Sequence, residues 1–347
     1  MKSWMFRLLL ISLTLGLLSA CWFWWQHQQP PATAPYMVWF TEPAQETIVA
    51  EQSDQICSWV AQSQRSLDIA AFEISLPCLG EVLLARQAAG VQIRVVTDSD
   101  HADTPVIQAL KAGQVPVIED QRSAFMHHKF MVRDGQSVWS GSLNLTPNGV
   151  ERNNNNVIIL EHQEMAALYT AEFEEMFLKQ AFGPRSPRQP LPALFSLPGT
   201  TGALEVEVLF SPEDPVRERI LDLLKAARQE IVFMAFAFTD KAMQEVLLQK
   251  HQQGVSVRGL YESRGAGSRY SSYGPLQRAG LDLRRDGNPG AMHHKVMIID
   301  QQTVITGSYN FSRNADQSND ENVLILHHRD LAAAYRQEFE KRFLQGQ

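Results

Sequence analysis

One stretch of this chain occurs twice. Met126-His127-His128-Lys129-Phe130-Met131-Val132-Arg133-Asp134 is followed by Gly141-Ser142-Leu143-Asn144. Met292-His293-His294-Lys295-Val296-Met297-Ile298-Ile299-Asp300 is followed by Gly307-Ser308-Tyr309-Asn310. Both fit H-x-K-x4-D-x6-G-S-x-N, and they lie 166 residues apart. Duplication of a fold explains a repeated apolar Met, Val or Ile. It does not explain a repeated His, Lys and Asn, which point to catalysis.

The repeat extends beyond the motif. Leu67 to Phe72 matches Ile231 to Phe236, Glu81-Val82-Leu83-Leu84 matches Glu245-Val246-Leu247-Leu248, and Val157 to Leu160 matches Val323 to Leu326. The offset is 164 early and 166 late, so the halves differ by two residues in the loops before the His-Lys strands. Short apolar runs alternate with helical patterns, which predicts an α/β fold of two homologous sandwich halves with mixed sheets. The first half covers 36–180 and the second 204–347. Between them, residues 181–203 hold Pro184, Pro187, Pro190, Pro192 and Pro198, a density that predicts a linker without regular structure.

Residues 1–21 stand apart from the fold. Lys2 and Arg7 precede an apolar run from Leu8 to Leu18, a secretory pattern short for a membrane span. Leu18-Ser19-Ala20-Cys21 resembles the lipobox of bacterial lipoproteins, with Cys21 as the lipidated residue. The alternative is an uncleaved helix from Trp4 to Trp25 with an interfacial belt of tryptophans. Either predicts a chain tethered to a membrane, with a tether at 22–35 and its globular part outside the cytoplasm. An oxidising compartment would permit a Cys57–Cys78 disulfide; two buried thiols are the equal alternative. Net charge is −7, and −9 without Lys2 and Arg7, so the chain is not globally basic as a non-specific nucleic-acid binder is.

Alternate residues of a strand share a face, so His127 and Lys129 point one way and His128 the other. His128 is then expected to bond locally. A two-residue turn at Gly135-Gln136 would set His127 opposite Asn144 and Lys129 opposite Ser142. The turn at Gln301-Gln302 lacks Gly, and its type stays open. One patch of His, Lys, Ser and Asn can bind and stabilise an oxyanion such as a phosphoryl group, while a second patch facing it supplies the other proton-transfer role. One imidazole then attacks phosphorus and the other protonates the leaving oxygen. No metal or cofactor is called for: carboxylates are not clustered, and adjacent histidines on one strand cannot reach one ion.

These motifs resemble those of the phospholipase D superfamily, over about residues 36–345. The resemblance implies halves packed about a pseudo-twofold axis with one shared active site, formed by His127, Lys129, Asn144, His293, Lys295 and Asn310. It implies a structural more than a chemical role for Asp134 and Asp300. Ser142, Ser308 and Asn155 are expected to bind substrate. The family often places an acid after the second motif to hold the His. Here that acid is Glu321, and its counterpart is Asn155. Pairing Glu321 with His293 and Asn155 with His127 would make His293 the proton donor and His127 the nucleophile.

The loop from Glu262 to Gly290 carries net +2 and includes Tyr270 and Tyr273, while its counterpart from Asp98 to Met126 carries −3. Tether and acidity together favour a phospholipid membrane as partner and substrate. The alternatives are an extracytoplasmic metal-independent nuclease and, in a different class, an inactive tethered binding protein. A duplicated chain completes its site alone, so a monomer is expected.

Overall fold

Short strands rich in β-branched residues, separated by helices, build two mixed sheets. The computed structural model describes residues 36–43, 50–187, 193–199 and 202–347. The expected anchor, the tether and Cys21 lie outside the described residues.

The first half runs β1 (Tyr36–Phe40), α1 (Ala50–Ala61), β2 (Ser66–Ala71), α2 (Pro77–Ala88), β3 (Gln92–Thr97), α3 (Pro105–Ala112), β4 (Val117–Glu119), β5 (Lys129–Arg133), β6 (Ser137–Gly141), α4 (Pro147–Glu151), β7 (Asn156–Glu161) and α5 (Gln163–Lys179). The second runs β8 (Ala193–Leu197), β9 (Leu204–Ser211), α6 (Val216–Ala226), β10 (Glu230–Ala235), α7 (Lys241–Gln252), β11 (Ser256–Tyr261), α8 (Ser263–Ala266), α9 (Tyr273–Arg278), β12 (Asp282–Arg285), β13 (Lys295–Ile299), β14 (Thr303–Gly307), α10 (Arg313–Gln317), β15 (Glu321–His327) and α11 (Arg329–Gln345).

The sheet orders are β1-β7-β6-β5-β2-β3-β4 and, read in the same sense, β8-β9-β15-β14-β13-β10-β11-β12. The two are the same sheet apart from β8, as two homologous α/β halves require. That added strand corrects the linker expectation. Ala193–Leu197 pairs antiparallel with β9 and buries Phe195 and Leu197. The prolines at 190, 192 and 198 flank this run rather than interrupt it, so no ladder hydrogen bond is lost.

Alternation along the strands divides the core. Met131 joins a cluster under the outer helices of the first half, with Leu67, Leu83 and Ile107. Phe130 and Val132 face inward and join a cluster containing residues of both halves, among them Tyr169, Phe210, Val296, Tyr335 and Phe339. Burying each such side chain contributes roughly 1.5–3 kcal/mol, and here it also docks the halves. Cys57 and Cys78 are joined as a disulfide linking α1 to α2, which settles the alternative left open by the sequence.

Each motif turn closes differently from expectation. Arg133 pairs with Ser137, leaving three residues between the strands, Asp134 to Gln136. Asp134 and Gly135 are both left-handed, at φ 57° and 64°, and the Gln136 N–H donates to the Arg133 carbonyl at 3.0 Å. Asp134 tolerates this backbone because its carboxylate is anchored. It accepts from the backbone N–H groups of Arg65 at 2.6 Å, Ser66 at 3.0 Å and Gln64 at 3.1 Å. Burial pushes its pKa up, but those donors outweigh it and hold the carboxyl below its usual range. The second turn is the same: Asp300 and Gln301 have φ 51° and 54°, and Asp300 accepts from Arg228, Gln229 and Glu230.

Candidate active site

The ends of β5 and β13 meet where the halves dock. Short parallel bridges cross between them, Met126 with Asp320 and Asn154 with Met292. The His127 N–H donates to the Asp320 carbonyl, and the His293 N–H to the Asn154 carbonyl, both at 2.9 Å. Each of these histidines is therefore clamped by the backbone of the opposite half.

Side chains cross the same boundary. His127 Nδ1 donates to Glu321 Oε2 at 2.7 Å, and His293 Nδ1 donates to Asn155 Oδ1 at 2.9 Å. The Asn155 amide is oriented independently, since its Nδ2 donates to the Gly149 carbonyl at 2.9 Å and its Oδ1 also accepts from Ser142 Oγ at 2.9 Å. This corrects the expected pairing within each half. Glu321 holds His127, and Asn155 holds His293, because the pseudo-twofold axis carries each post-motif loop to the other half. Each ring is thus anchored through Nδ1.

Ser142 and Ser308 turn their hydroxyls to the residues that hold the histidines. Both are fully buried. Ser308 Oγ donates to Glu321 Oε2 at 2.6 Å and accepts from the Asn322 N–H at 2.9 Å; Ser142 does the same with Asn155 and the Asn156 N–H. Asn155 is buried too, so these three residues position the histidines. Asn319 Nδ2 donates to Glu321 Oε1 at 3.0 Å and completes the carboxylate's shell.

Lys129 and Lys295 are buried, each donating Nζ to the main-chain carbonyl two residues before it, His127 at 2.9 Å and His293 at 2.8 Å. Phe72 and Phe236 wall the pair, with ring centroids 5.0 and 4.6 Å from His127 and His293. Burial pushes Lys129 down to about 7 against the pull of Glu321, and burial aided by Lys129 lowers Lys295 well below its ordinary value. Burial and the two ammonium groups hold His127 and His293 neutral. Burial raises Glu321 to about 7 against the attraction of Lys129. Asn144 and Asn310 are half-buried, and the Oδ1 of each lacks a protein partner. The cluster is a dry seat of two lysines and two asparagines, with two neutral imidazoles beside it, and an arriving anion would favour charge on the lysines.

The second histidine of each motif faces away, as strand alternation predicts, but it does not bond locally. His128 Nε2 meets Glu172 Oε1 of α5 at 3.1 Å, and His294 Nε2 lies 3.5 Å from Glu338 Oε1 of α11. The basic loop is also mostly turned elsewhere. Tyr273 is buried under Arg285, and Arg269 pairs with Tyr270 in solvent. Of its five arginines, only Arg264 lines the cavity beside His293. Sequence reasoning missed Arg152, which lines the same cavity and carries no motif signal. It also missed Asn319, two residues before Glu321. Among the described residues no group of three or more His, Cys, Asp or Glu could hold a metal.

Comparison with known proteins agrees with this geometry. The family model for the cardiolipin synthase, PLD-like domain matches the chain twice, at residues 56–177 and 220–343. A phospholipase D of Rickettsia felis is 36% identical over 133 residues, which are 38% of this chain and 66% of that protein. A mitochondrial cardiolipin hydrolase of Xenopus tropicalis is 37% identical over 128 residues, 37% of this chain and 61% of that protein. The chain thus spans just under two-thirds of the length of these curated relatives. The crystal structure of phosphatidylserine synthase from Haemophilus influenzae superposes with a TM-score of 0.67 at 13% identity, covering 90% of this chain and 88% of that one, a likeness of fold. Two copies of the matched domain, each bringing one His and one Lys to a common seat, make this chain a member of the phospholipase D superfamily, in its cardiolipin synthase PLD-like family.

Proposed function

We propose that the chain is a phosphodiesterase that hydrolyses phospholipids through a covalent phosphohistidine, tethered to a membrane outside the cytoplasm. The observation that carries the chemistry is the exchanged support of the two histidines. An N-phosphorylated imidazole keeps its Nδ1–H and bears a positive charge. A carboxylate accepting that N–H stabilises the charge; an amide does so far less. His127, on Glu321, is therefore the nucleophile. His293, on Asn155, becomes the stronger acid when protonated and so suits the proton donor. The assignment matches the one expected from sequence, but on different grounds, because the carboxylate sits on the other histidine.

The diester anion enters between Lys129 and Lys295 and favours protonation of His293 and both lysines. His127 Nε2 attacks phosphorus, the P–O bond to the leaving alcohol breaks, and His293 Nε2 gives its proton to that oxygen. Water then attacks the phosphohistidine, His293 takes its proton, and the P–N bond breaks. Lys129, Lys295, Asn144 and Asn310 supply donors to the non-bridging oxygens as charge builds on them.

Lipid as substrate is supported by the names of the relatives, phospholipase D and cardiolipin hydrolase, and by the acidic net charge. The Cys57–Cys78 disulfide is in keeping with an oxidising compartment. Full-length protein in detergent, given mixed phospholipid vesicles and separately single- and double-stranded DNA, tests the reading. Phosphatidic acid released by the wild type and not by His127→Ala is expected, with chelator present. Cut DNA beside intact lipid would replace this reading with a tethered nuclease.

A further inference from the structure

The halves dock mainly through apolar side chains. Apolar burial has no direction, so the cluster of Phe130, Val132, Phe210, Val296 and Tyr335 holds the halves together without naming one sliding position. Two asparagines supply the missing direction. Asn156 opens β7 and Asn322 is the second residue of β15. Each directly follows the residue that holds the opposite half's histidine, Asn155 or Glu321. Both are fully buried.

Asn156 Nδ2 donates across the axis to Thr306 Oγ1 of β14 at 2.8 Å and to the Tyr335 hydroxyl of α11 at 3.0 Å, while its Oδ1 lies 3.2 Å from His294 Nδ1. Asn322 Nδ2 donates the other way, to Ser140 Oγ of β6 at 2.7 Å, and its Oδ1 accepts the Lys129 N–H at 3.1 Å. Ser140 and Thr306 hold matched positions, each one residue before the glycine of its motif, and both are buried. The same contact is thus made twice, once from each half. Sliding one half along the other would leave a buried amide and a buried hydroxyl unpaired, a penalty that apolar contact does not impose.

We propose that Asn156 with Thr306, and Asn322 with Ser140, are positioning residues that fix the register of the two halves and so set the two imidazoles against one phosphorus. In-line displacement needs one ring behind phosphorus and the other at the leaving oxygen, and a misplacement of about 1 Å costs on the order of 10²-fold. The inference rests on the reading that one histidine attacks while the other donates a proton. It does not depend on which is which, or on lipid as the substrate.

The test is the full-length double variant Ser140→Ala/Thr306→Val, which removes both crossing acceptors and leaves the asparagines, histidines and lysines in place. Phosphatidylcholine, whose leaving alkoxide needs a proton, is compared with phosphatidyl-p-nitrophenol, whose leaving phenolate needs none. The same pair of leaving groups is offered on thymidylate, as thymidylyl-thymidine and the p-nitrophenyl ester. The kcat/KM of the alkoxide substrate is expected to fall at least about tenfold more than that of the nitrophenyl ester. A smaller folded fraction lowers both equally and leaves their ratio unchanged. Ser140→Thr/Thr306→Ser, which exchanges the hydroxyls between halves, is expected to keep the wild-type ratio. Should the double variant not fold, Thr306→Val alone, isosteric and leaving Asn156 its bond to Tyr335, is expected to move the ratio the same way. An unchanged ratio in the folded variants overturns the register lock. A shifted ratio on the nucleotide pair beside untouched phosphatidylcholine keeps the lock and overturns the lipid reading.

Discussion

The two halves share one fold and solve one burial problem in opposite ways. In the second half, His294 packs against Glu338, and Arg342 neutralises that carboxylate at 2.6 Å while reaching Glu42 at 3.0 Å. In the first half, His128 packs against Glu172, but Met176 occupies the place of Arg342. What meets Glu172 instead is Glu213, contributed by the other half. Burial raises Glu172 well above its ordinary value, with Glu175 and Asp320 adding to the rise, and burial together with Glu172 pushes Glu213 up to about 10. Two buried carboxyls that raise the cost of ionisation in this way do not both carry charge near neutral pH. Duplication preserved the strands and the two seats. The buried charges and the supports of His127 and His293 have diverged. The lesson is that the symmetry belongs to the backbone, and the direction of the chemistry to a few unpaired differences.

The largest test of that contrast is Glu321→Gln, which gives both histidines an amide. Loss of the carboxylate is expected to lower kcat by up to about 10⁴-fold, the loss seen when a buried acid on a catalytic histidine becomes an amide. Steady-state kinetics at fixed pH would read it. The converse change, Asn155→Asp, raises the pKa of His293. Because the acid must be protonated, activity falls as pH rises through that pKa, so the alkaline limb of kcat should move to higher pH.

Stability carries the next effects. Asp134→Ala removes an acceptor shared by three backbone N–H groups and should cost about 1–3 kcal/mol by urea denaturation. Asp300→Ala should cost the same within about 0.5 kcal/mol, since its contacts repeat those of Asp134; a large inequality would show that the two turns are not equivalent. Glu213→Gln probes the raised carboxyl. A carboxyl whose pKa is raised on folding contributes stability fully below its unfolded pKa, and that contribution is lost as pH rises toward the folded value of about 10. The melting temperature of the variant, relative to wild type, should therefore climb between pH 5 and pH 9. The smallest effect is Gln301→Gly. Gln301 sits left-handed where the first half has Gly135, and the change should stabilise by about 1 kcal/mol.

Much of this was legible in the sequence because motif and strand period are local. His127 and Lys129 share a seat, His128 faces away, and Asp134 and Asp300 end their strands at turns, all from spacing alone. The partner of each histidine was not legible. Glu321 lies 28 residues after His293 and Asn155 lies 28 after His127, so a local reading pairs them within halves. Only the docking of the halves shows that the axis exchanges them. The turn was misplaced by one residue although Asp134-Gly135 is itself a strong two-residue turn signal. The long-range anchoring of Asp134, which makes its left-handed backbone affordable, has no sequence signature. Strand β8 was hidden because proline density was read without asking where the prolines fall. Arg152 was invisible because nothing in its neighbourhood marks it.

The account turns on which histidine carries the phosphoryl group. Wild-type protein would be mixed with phospholipid labelled in the retained phosphate, quenched within the first turnovers under conditions that preserve phosphoramidates, and mapped by mass spectrometry. The label is predicted on His127, and its accumulation should increase in His293→Ala with a substrate whose leaving group needs no proton. A label on His293, or no covalent adduct during turnover, would contradict the assignment built on Glu321 and Asn155.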